Sequence, residues 1–153
     1  MNIKGLISED FINYKKPAMT IMFPYCNFKC GTGYCQNKLL KQESNINLSV
    51  EDIVERYINN PISESIVMQG LEPFDSWDDL YELVKGLRNC TQDDVVIYTG
   101  YYKEEIAEHI DKLKQFSNIV VKFGRYIPNQ EKHFDDVLGI YLASNNQYGE
   151  RIS

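Results

Sequence analysis

The sequence lacks long hydrophobic runs and has no surplus of positive charge. No apolar segment approaches the ~18 residues that a membrane-spanning helix needs, and residues 1–10 show no hydrophobic region typical of a signal peptide. Sixteen Lys and Arg stand against 22 Asp and Glu, which leaves a net charge of −6. Because nonspecific binding to nucleic acid depends on a basic surface, that class of function is disfavoured. We expect a cytoplasmic protein that binds neither a membrane nor nucleic acid.

The length and composition are those of an ordinary globular domain. Of the 153 residues, 43% are hydrophobic and 25% are charged, values that disfavour an intrinsically disordered chain. A chain of this size buries about two thirds of its unfolded surface on folding and needs no disulfide to do so. We therefore expect one domain that spans residues 1–153.

The four cysteines are placed unevenly. Cys26, Cys30 and Cys35 fall within ten residues, whereas Cys90 stands alone at the end of a predicted helix, where a free structural thiol is expected. Zinc sites usually pair C-x2-C with a second ligand pair, but here the gaps are x3 and x4 and the two histidines lie far downstream. Three thiolates without a fourth ligand suit a [4Fe–4S] cluster that leaves one iron open to another ligand.

Short apolar runs alternate with amphipathic segments along the rest of the chain. The runs predict strands at residues 18–23, 65–69, 95–98, 119–122 and 138–142, and helical spacing predicts helices at about 49–58, 76–88 and 103–114. Ser49 is expected to cap the first of these helices, with Asp52 completing a capping box. This order predicts an α/β fold whose parallel sheet is covered by helices.

Four segments that follow predicted strands contain residues suited to a binding site. They are the cysteine loop 25–37, Gly70-Leu71-Glu72-Pro73, Thr99-Gly100-Tyr101 and Gly124-Arg125. In parallel α/β folds the site lies at the carboxyl ends of the strands. We therefore expect these four segments to meet at one edge of the sheet.

The cysteine loop resembles the signature of the radical S-adenosylmethionine (SAM) enzymes. That signature is C-x3-C-x2-C after the first strand, with an aromatic residue before the last cysteine. Cys26 and Cys30 keep the first spacing, Tyr34 supplies the aromatic residue, and Asn37 is the Asn that commonly follows the last cysteine at two residues. The gap between Cys30 and Cys35 is x4, two residues longer than in the family.

A second segment resembles the glycine-rich motif of the same family. Gly-Gly-Glu-Pro after the second strand stands here as Gly70-Leu71-Glu72-Pro73, with leucine in place of one glycine. The resemblance implies a partial, open parallel β/α barrel of about five β/α units. It also implies a [4Fe–4S] cluster whose open iron binds SAM, and reductive cleavage of SAM to methionine and a 5′-deoxyadenosyl radical.

Within that superfamily the chain resembles the activating protein of anaerobic (class III) ribonucleoside-triphosphate reductase. The similar segments are Tyr98-Thr99-Gly100-Tyr101 with Glu104-Glu105-Ile106, residues 121–127, and Ala143-Ser144-Asn145-Asn146-Gln147. The sequence departs at Phe123, where the subfamily usually has Asp, and near the C-terminus, where Ser-Asn-Gln-Arg is expanded and Arg151 comes later. The implied partners are the large reductase subunit, which would receive a glycyl radical, and an electron donor such as flavodoxin or ferredoxin.

The resemblance implies a role for each candidate site residue. Cys26, Cys30 and Cys35 would be the catalytic cluster ligands; Gly70, Leu71, Glu72 and Pro73 would face the methionine moiety; Tyr34 would lie near the adenine; and Thr99, Gly100 and Tyr101 would contact the ribose or the carboxylate.

Two other functions stay open at this stage. One is a radical SAM enzyme that modifies a peptide or a small molecule, which the longer cysteine loop and Leu71 leave possible. The other is a non-catalytic iron–sulfur or zinc module that transfers electrons or binds a partner. A cluster that forms but never cleaves SAM would establish the latter.

Overall fold

A computed structural model describes residues 1–27, 30 and 33–153 and contains a central sheet of six strands. The strands are β1 (Asn2–Ile3), β2 (Gly5–Asp10), β3 (Ala18–Phe23), β4 (Ile46–Asn47), β5 (Ser65–Gly70), β6 (Asp94–Tyr98), β7 (Ile119–Phe123), β8 (His133–Asp135), β9 (Ile140–Leu142) and β10 (Tyr148–Arg151). The helices are α1 (Lys38–Gln42), α2 (Val50–Ile58), α3 (Trp77–Arg88) and α4 (Ala107–Leu113), with 3₁₀ helices at Pro73–Ser76 and Lys103–Ile106.

The central sheet is mixed rather than wholly parallel. Its order is β10-β7-β6-β5-β3-β2. The four inner strands β3, β5, β6 and β7 are parallel, while β2 and β10 pair antiparallel along the two edges. The predicted α/β class and the first four predicted strands are thus confirmed, and the prediction of a wholly parallel sheet is wrong.

Helices α2, α3 and α4 all pack on one face of this sheet. Each carries its buried residues at helical spacing, as Leu80, Leu83, Val84 and Leu87 do in α3. These side chains form one core cluster with alternate residues of the strands, among them Ile21, Met68, Ile97 and Val121. Ser49 caps α2 with the capping box predicted from Asp52. Along the chain, the inner strands are added in the order β3, β5, β6 and β7 from one edge of the sheet toward the other. Each connection between them crosses the face that the helices cover.

The opposite face of the sheet is covered by loops and a small hairpin instead of helices. Val67, Val96 and Val120 point to this face and pack against Tyr14 and Leu138 in a second, smaller cluster. Tyr14 belongs to the loop after β2, and Leu138 lies in the turn between β8 and β9. Since these covers are short, part of this face stays open toward the carboxyl ends of the strands.

The predicted fifth strand at residues 138–142 is wrong as a member of the parallel sheet. Leu138 and Gly139 form a tight turn in which the Gly139 amide donates to the Asp135 carbonyl at 2.7 Å. Gly139 has φ of +71°, a left-handed conformation that interrupts an extended strand. Only Ile140–Leu142 is extended, and as β9 it pairs antiparallel with β8 in a separate two-stranded sheet.

Both edge strands were absent from the sequence-based prediction. Strand β2 has the sequence GLISED, and three of its residues are exposed, so no apolar run marks it. Strand β10, with the sequence YGER, has no buried residue. Such edge strands are specified by pairing with an inner strand rather than by burial.

Among the described residues, no helix is both long enough and apolar enough to cross a bilayer.

Candidate functional site

The carboxyl ends of the parallel strands surround one cavity of about 330 Å³. Its wall receives Cys26 from the segment after β3, Glu72 from the turn after β5, Thr99 from the turn after β6, and Gly124 from the end of β7. The segments expected to share one edge of the sheet therefore line the same cavity. A volume in this range suits a small-molecule ligand.

Two glycines let the strand ends approach each other closely. Gly70 has φ of +99°, and a Cβ at this position would lie 2.8 Å from the Cα of Met22 and from the amide nitrogen of Phe23. Gly124 has φ of +101°, and its Cβ would lie 2.9 Å from the carbonyl oxygen of Asn146. Only glycine fits these positions without displacing the neighbouring backbone. The backbone itself, rather than side chains, thus shapes two walls of the cavity.

The three clustered cysteines all line this cavity, and each is half-buried. A Cβ placed on Gly100 would lie 3.9 Å from the Sγ of Cys30, which puts this thiol beside the turn after β6. Cys90 is exposed and does not line the cavity. Of the predicted loop 25–37, residues 28, 29, 31 and 32 lie outside the described residues.

A hydrogen-bonded brace holds the start of the cysteine loop against the turn after β5. The Tyr101 hydroxyl donates to the Asp75 carboxylate at 2.6 Å and accepts from the Asn27 side-chain amide at 2.8 Å. The Asn27 backbone amide donates to the same Asp75 carboxylate at 2.9 Å. Tyr101 was expected to contact a bound cofactor. Its hydroxyl positions the residue next to Cys26, Tyr101 itself does not line the cavity, and its contact with a cofactor stays a prediction.

Glu72 is a buried carboxylate in the cavity wall. It accepts from the Gly100 amide at 2.8 Å, from the Thr99 hydroxyl at 2.9 Å and from the Phe74 amide at 3.1 Å. Burial raises its pKa to about 7, although the three hydrogen bonds oppose this shift. Among the described residues, no lysine or arginine lies within ion-pair distance of it. Glu72 therefore ties the turn after β5 to the turn after β6.

The remaining predicted site residues divide into two groups. Gly70, Leu71 and Gly100 line the cavity together with Glu72 and Thr99. Tyr34 is 60% exposed and does not line it, and Pro73 is buried as the first residue of a 3₁₀ helix. Pro73 thus supports the turn from behind.

Sequence reasoning missed the polar residues that the open face of the sheet contributes. The carboxyl-terminal ends of β5, β6 and β7 contribute Gln69, Tyr98 and Lys122 to the cavity lining. The signal was present in the strand Ile119-Val120-Val121-Lys122, because period-two alternation puts Lys122 on the same face as Val120. A lysine on the inner face of a buried strand needs a polar partner or a polar ligand.

Comparison with known proteins places the chain in an iron–sulfur family. The family model of the 4Fe-4S single cluster domain matches residues 18–147, which is most of the chain. The chain therefore belongs to the 4Fe-4S single cluster domain family. No curated protein matches the sequence.

The donor set in the cavity fits such a cluster. Thiolates are the ligands that [4Fe–4S] clusters use, and Cys26, Cys30 and Cys35 open onto one cavity. Among the described residues, no three ligating side chains gather closely enough to hold a single metal ion. Cluster ligands bind different irons and need not meet at one point. The assignment of these three cysteines as the ligands stays a prediction.

Proposed function

Starting from this family membership, we propose that the chain is a radical SAM enzyme that activates an anaerobic ribonucleotide reductase. The observation that carries the proposal is the convergence of the three thiols with the Gly70–Glu72 turn and the Thr99-Gly100 turn on one cavity. When bound and reduced, the cluster would supply the electron that cleaves SAM into methionine and a hydrogen-abstracting 5′-deoxyadenosyl radical. The protein's own task is to bind and orient SAM and to exclude side reactions.

The turn after β5 is the proposed contact for the methionine moiety of SAM. Its conformation is fixed, since the Leu71 amide donates to the Phe23 carbonyl and the Glu72 amide donates to the Tyr25 carbonyl. The Asn37 side-chain amide donates to the Gly70 carbonyl at 2.6 Å, which joins the cysteine loop to this turn. A ligand in the cavity would therefore meet a preorganised backbone, which lowers the entropic cost of binding.

An exposed apolar rim supports a macromolecular substrate. Ile12 and Tyr141 line the cavity and are 78% and 70% exposed. Phe11, the neighbour of Ile12 in the chain, is also exposed. Phe134 is exposed as well and packs edge-on against Tyr141 across the hairpin of β8 and β9. Contiguous exposed apolar side chains are typical of surfaces that bind other proteins. In the proposed reaction, a loop of the reductase would present its glycine Cα hydrogen at this opening.

The test is anaerobic SAM cleavage. The protein is reconstituted with iron and sulfide, reduced with dithionite and mixed with SAM, and 5′-deoxyadenosine is quantified. We expect the product from the wild-type protein and from Cys90→Ala, which changes an exposed thiol outside the cavity. We expect no cluster and no product from Cys26→Ala, Cys30→Ala or Cys35→Ala.

Three results would contradict the proposal or a part of it. A loaded and reducible cluster that yields no 5′-deoxyadenosine would favour the non-catalytic iron–sulfur module. Loss of product in Cys90→Ala, with the fold intact, would overturn the assignment of the three clustered cysteines. If SAM is cleaved but no glycyl radical forms on a reductase subunit by electron paramagnetic resonance, the substrate is a peptide or small molecule instead.

A further inference from the structure

Lys122 is a buried ammonium group at the inner wall of the cavity. Its side chain lines the cavity, and the residue is 7% exposed. The Nζ atom donates to the Gly124 carbonyl at 2.9 Å and lies 5.9 Å from the centre of the Tyr98 ring. An ammonium has three protons to donate. Further donor capacity therefore remains for a group inside the cavity.

No carboxylate of the described residues lies within ion-pair distance of Lys122. Glu72 and Cys30, both of which line the same cavity, favour the charged form of Lys122. Burial lowers the pKa of Lys122 to about 8, so the side chain is still mostly protonated at neutral pH. A buried charge without an ion-pair partner destabilises a protein by several kcal/mol in general. An anionic occupant of the cavity would offset this cost.

The rest of the strand gives no structural reason for a lysine here. On the same face of the sheet, Val96 and Val120 are fully buried and belong to an apolar cluster. An unbranched apolar side chain such as methionine would fill a similar volume on this face without the cost of a buried charge. Packing on this face therefore does not account for a lysine at this position.

We propose that Lys122 is a fixed counter-charge that raises the reduction potential of the bound iron–sulfur cluster. The potential of such clusters depends on nearby charge, hydrogen bonds and exposure to solvent. One-electron reduction, from an external donor, adds one negative charge to the cluster and breaks no bond. Lys122 stabilises the more negative, reduced state through its positive charge in a poorly solvated wall. This inference requires only that the cavity binds the cluster and does not depend on SAM cleavage.

The first readout of the test is the reduction potential, measured on three variants. Lys122→Met removes the charge, Lys122→Arg keeps it, and Lys85→Met removes an exposed lysine on helix α3 as the matched control. The reduction potential of each reconstituted protein is measured without SAM by titration monitored with electron paramagnetic resonance. We expect Lys122→Met to lower the reduced-to-oxidised ratio at a fixed potential at least tenfold, which is a shift of about 59 mV for one electron. Lys122→Arg and Lys85→Met should stay within threefold of the wild type.

The second readout is unfolding of the cluster-free protein in urea. We expect Lys122→Met to be at least as stable as the wild type, because the uncompensated charge is gone. If Lys122→Met and a second neutral variant, Lys122→Gln, both fail to fold without the cluster, Lys122 is structural and the proposal is overturned.

The outcomes also separate this inference from the proposed function. An unchanged potential in loaded Lys122→Met overturns the counter-charge, whatever happens to SAM. If that unchanged potential is accompanied by weaker SAM binding, Lys122 instead recognises the SAM carboxylate. A lowered potential supports the counter-charge even when no 5′-deoxyadenosine forms, which would contradict only the proposed function.

Discussion

Two buried carboxylates at opposite ends of the central sheet have opposite pKa shifts. Asp94 lies at the amino end of β6 and Glu72 lies just beyond the carboxyl end of β5, and they are 4% and 5% exposed. Burial favours a raised pKa in both. For Asp94, hydrogen bonds from Lys16, Arg151 and Tyr14 outweigh burial and lower the pKa. For Glu72, burial dominates and raises the pKa to about 7.

The difference between the two ends is the presence of paired cations. Lys16 and Arg151 contact the Asp94 carboxylate at 2.7 and 2.8 Å, and through them the loop after β2 and strand β10 are joined to β6. At the carboxyl end, Glu72 and Lys122 are both buried without such a contact among the described residues. Removal of one partner from a buried ion pair is strongly destabilising, whereas buried groups with shifted pKa values cluster at sites that bind or react. The amino end joins the loop after β2 and strand β10 to β6 through paired charges, and the carboxyl end contains two buried ionisable groups without such pairs among the described residues.

The largest expected effect comes from Gly70, which gives the carboxyl end its shape. Gly70→Ala would force an L side chain into a left-handed conformation and against the backbone of β3. We expect the free energy of unfolding to fall by about 4 kcal/mol, from the combined costs of backbone strain and overpacking. Urea unfolding of the cluster-free protein measures this loss.

Gly100→Ala is the matched control for Gly70→Ala. Gly100 lines the same cavity, but its conformation is not left-handed and an added Cβ would have only ordinary contacts of 3.6 Å and longer. We expect it to change the free energy of unfolding by less than about 1 kcal/mol. Equal losses in the two variants would show that backbone conformation does not limit this edge of the sheet.

Breaking the charge cluster at the amino end should have the next largest effect. Asp94→Ala leaves the Tyr14 hydroxyl buried without its acceptor and leaves Lys16 and Arg151 close together. We expect a loss of about 3 kcal/mol in urea unfolding. Asp111→Ala, which removes an exposed carboxylate paired with Lys114, should cost about 0–1 kcal/mol. Losses of similar size in the two variants would contradict the stabilising role assigned to the amino end.

Apolar periodicity was sufficient to predict the inner strands and the helices on the covered face. In Ser65–Gly70 and Ile119–Phe123 the inner strands are buried on both faces, so they form continuous apolar runs. The edge strands β2 and β10 gave no such signal, since their positions depend on pairing with distant residues. Residues 138–142 are apolar like an inner strand, but the left-handed Gly139 divides them and Ile140–Leu142 pairs with β8 outside the central sheet.

The site was predicted where segments follow strands, and missed where a strand itself contributes. Cys26, Glu72 and Thr99 lie directly after strand ends, and topology alone brings such residues together. Lys122 lies within a strand, and its significance depends on which face stays uncovered. That depends on how far the loops reach over the sheet, which local sequence does not determine. The hydrogen bonds of Tyr101 to Asn27 and Asp75 could not be predicted either, because they join residues far apart in the sequence.

The smallest expected effect is a pH dependence that distinguishes the two carboxylates. The pKa of Glu72 is raised by burial from 4.5 to about 7, so the folded protein holds its proton over a range in which the unfolded chain has lost it. Its contribution to stability is therefore complete below pH 4.5 and is lost as the pH rises through 7, a change of roughly 2 kcal/mol between about pH 5 and 7. The lowered pKa of Asp94 has the opposite sign, because its contribution is lost as the pH falls.

The measurement is urea unfolding of the cluster-free protein at several pH values between about 5 and 7, below the range in which Lys122 titrates. Glu72→Gln cannot titrate, so we expect the fall in stability toward pH 7 to be about 2 kcal/mol smaller in this variant than in the wild type. The comparison uses the slope with pH and not the absolute stability, since the amide also changes the hydrogen bonds to Gly100 and Thr99. Glu82→Gln, at an exposed position on α3, should keep the wild-type slope. Parallel curves for the wild type and Glu72→Gln would mean that Glu72 is ionised throughout this range, and the two ends of the sheet would then not differ in how they hold a buried carboxylate.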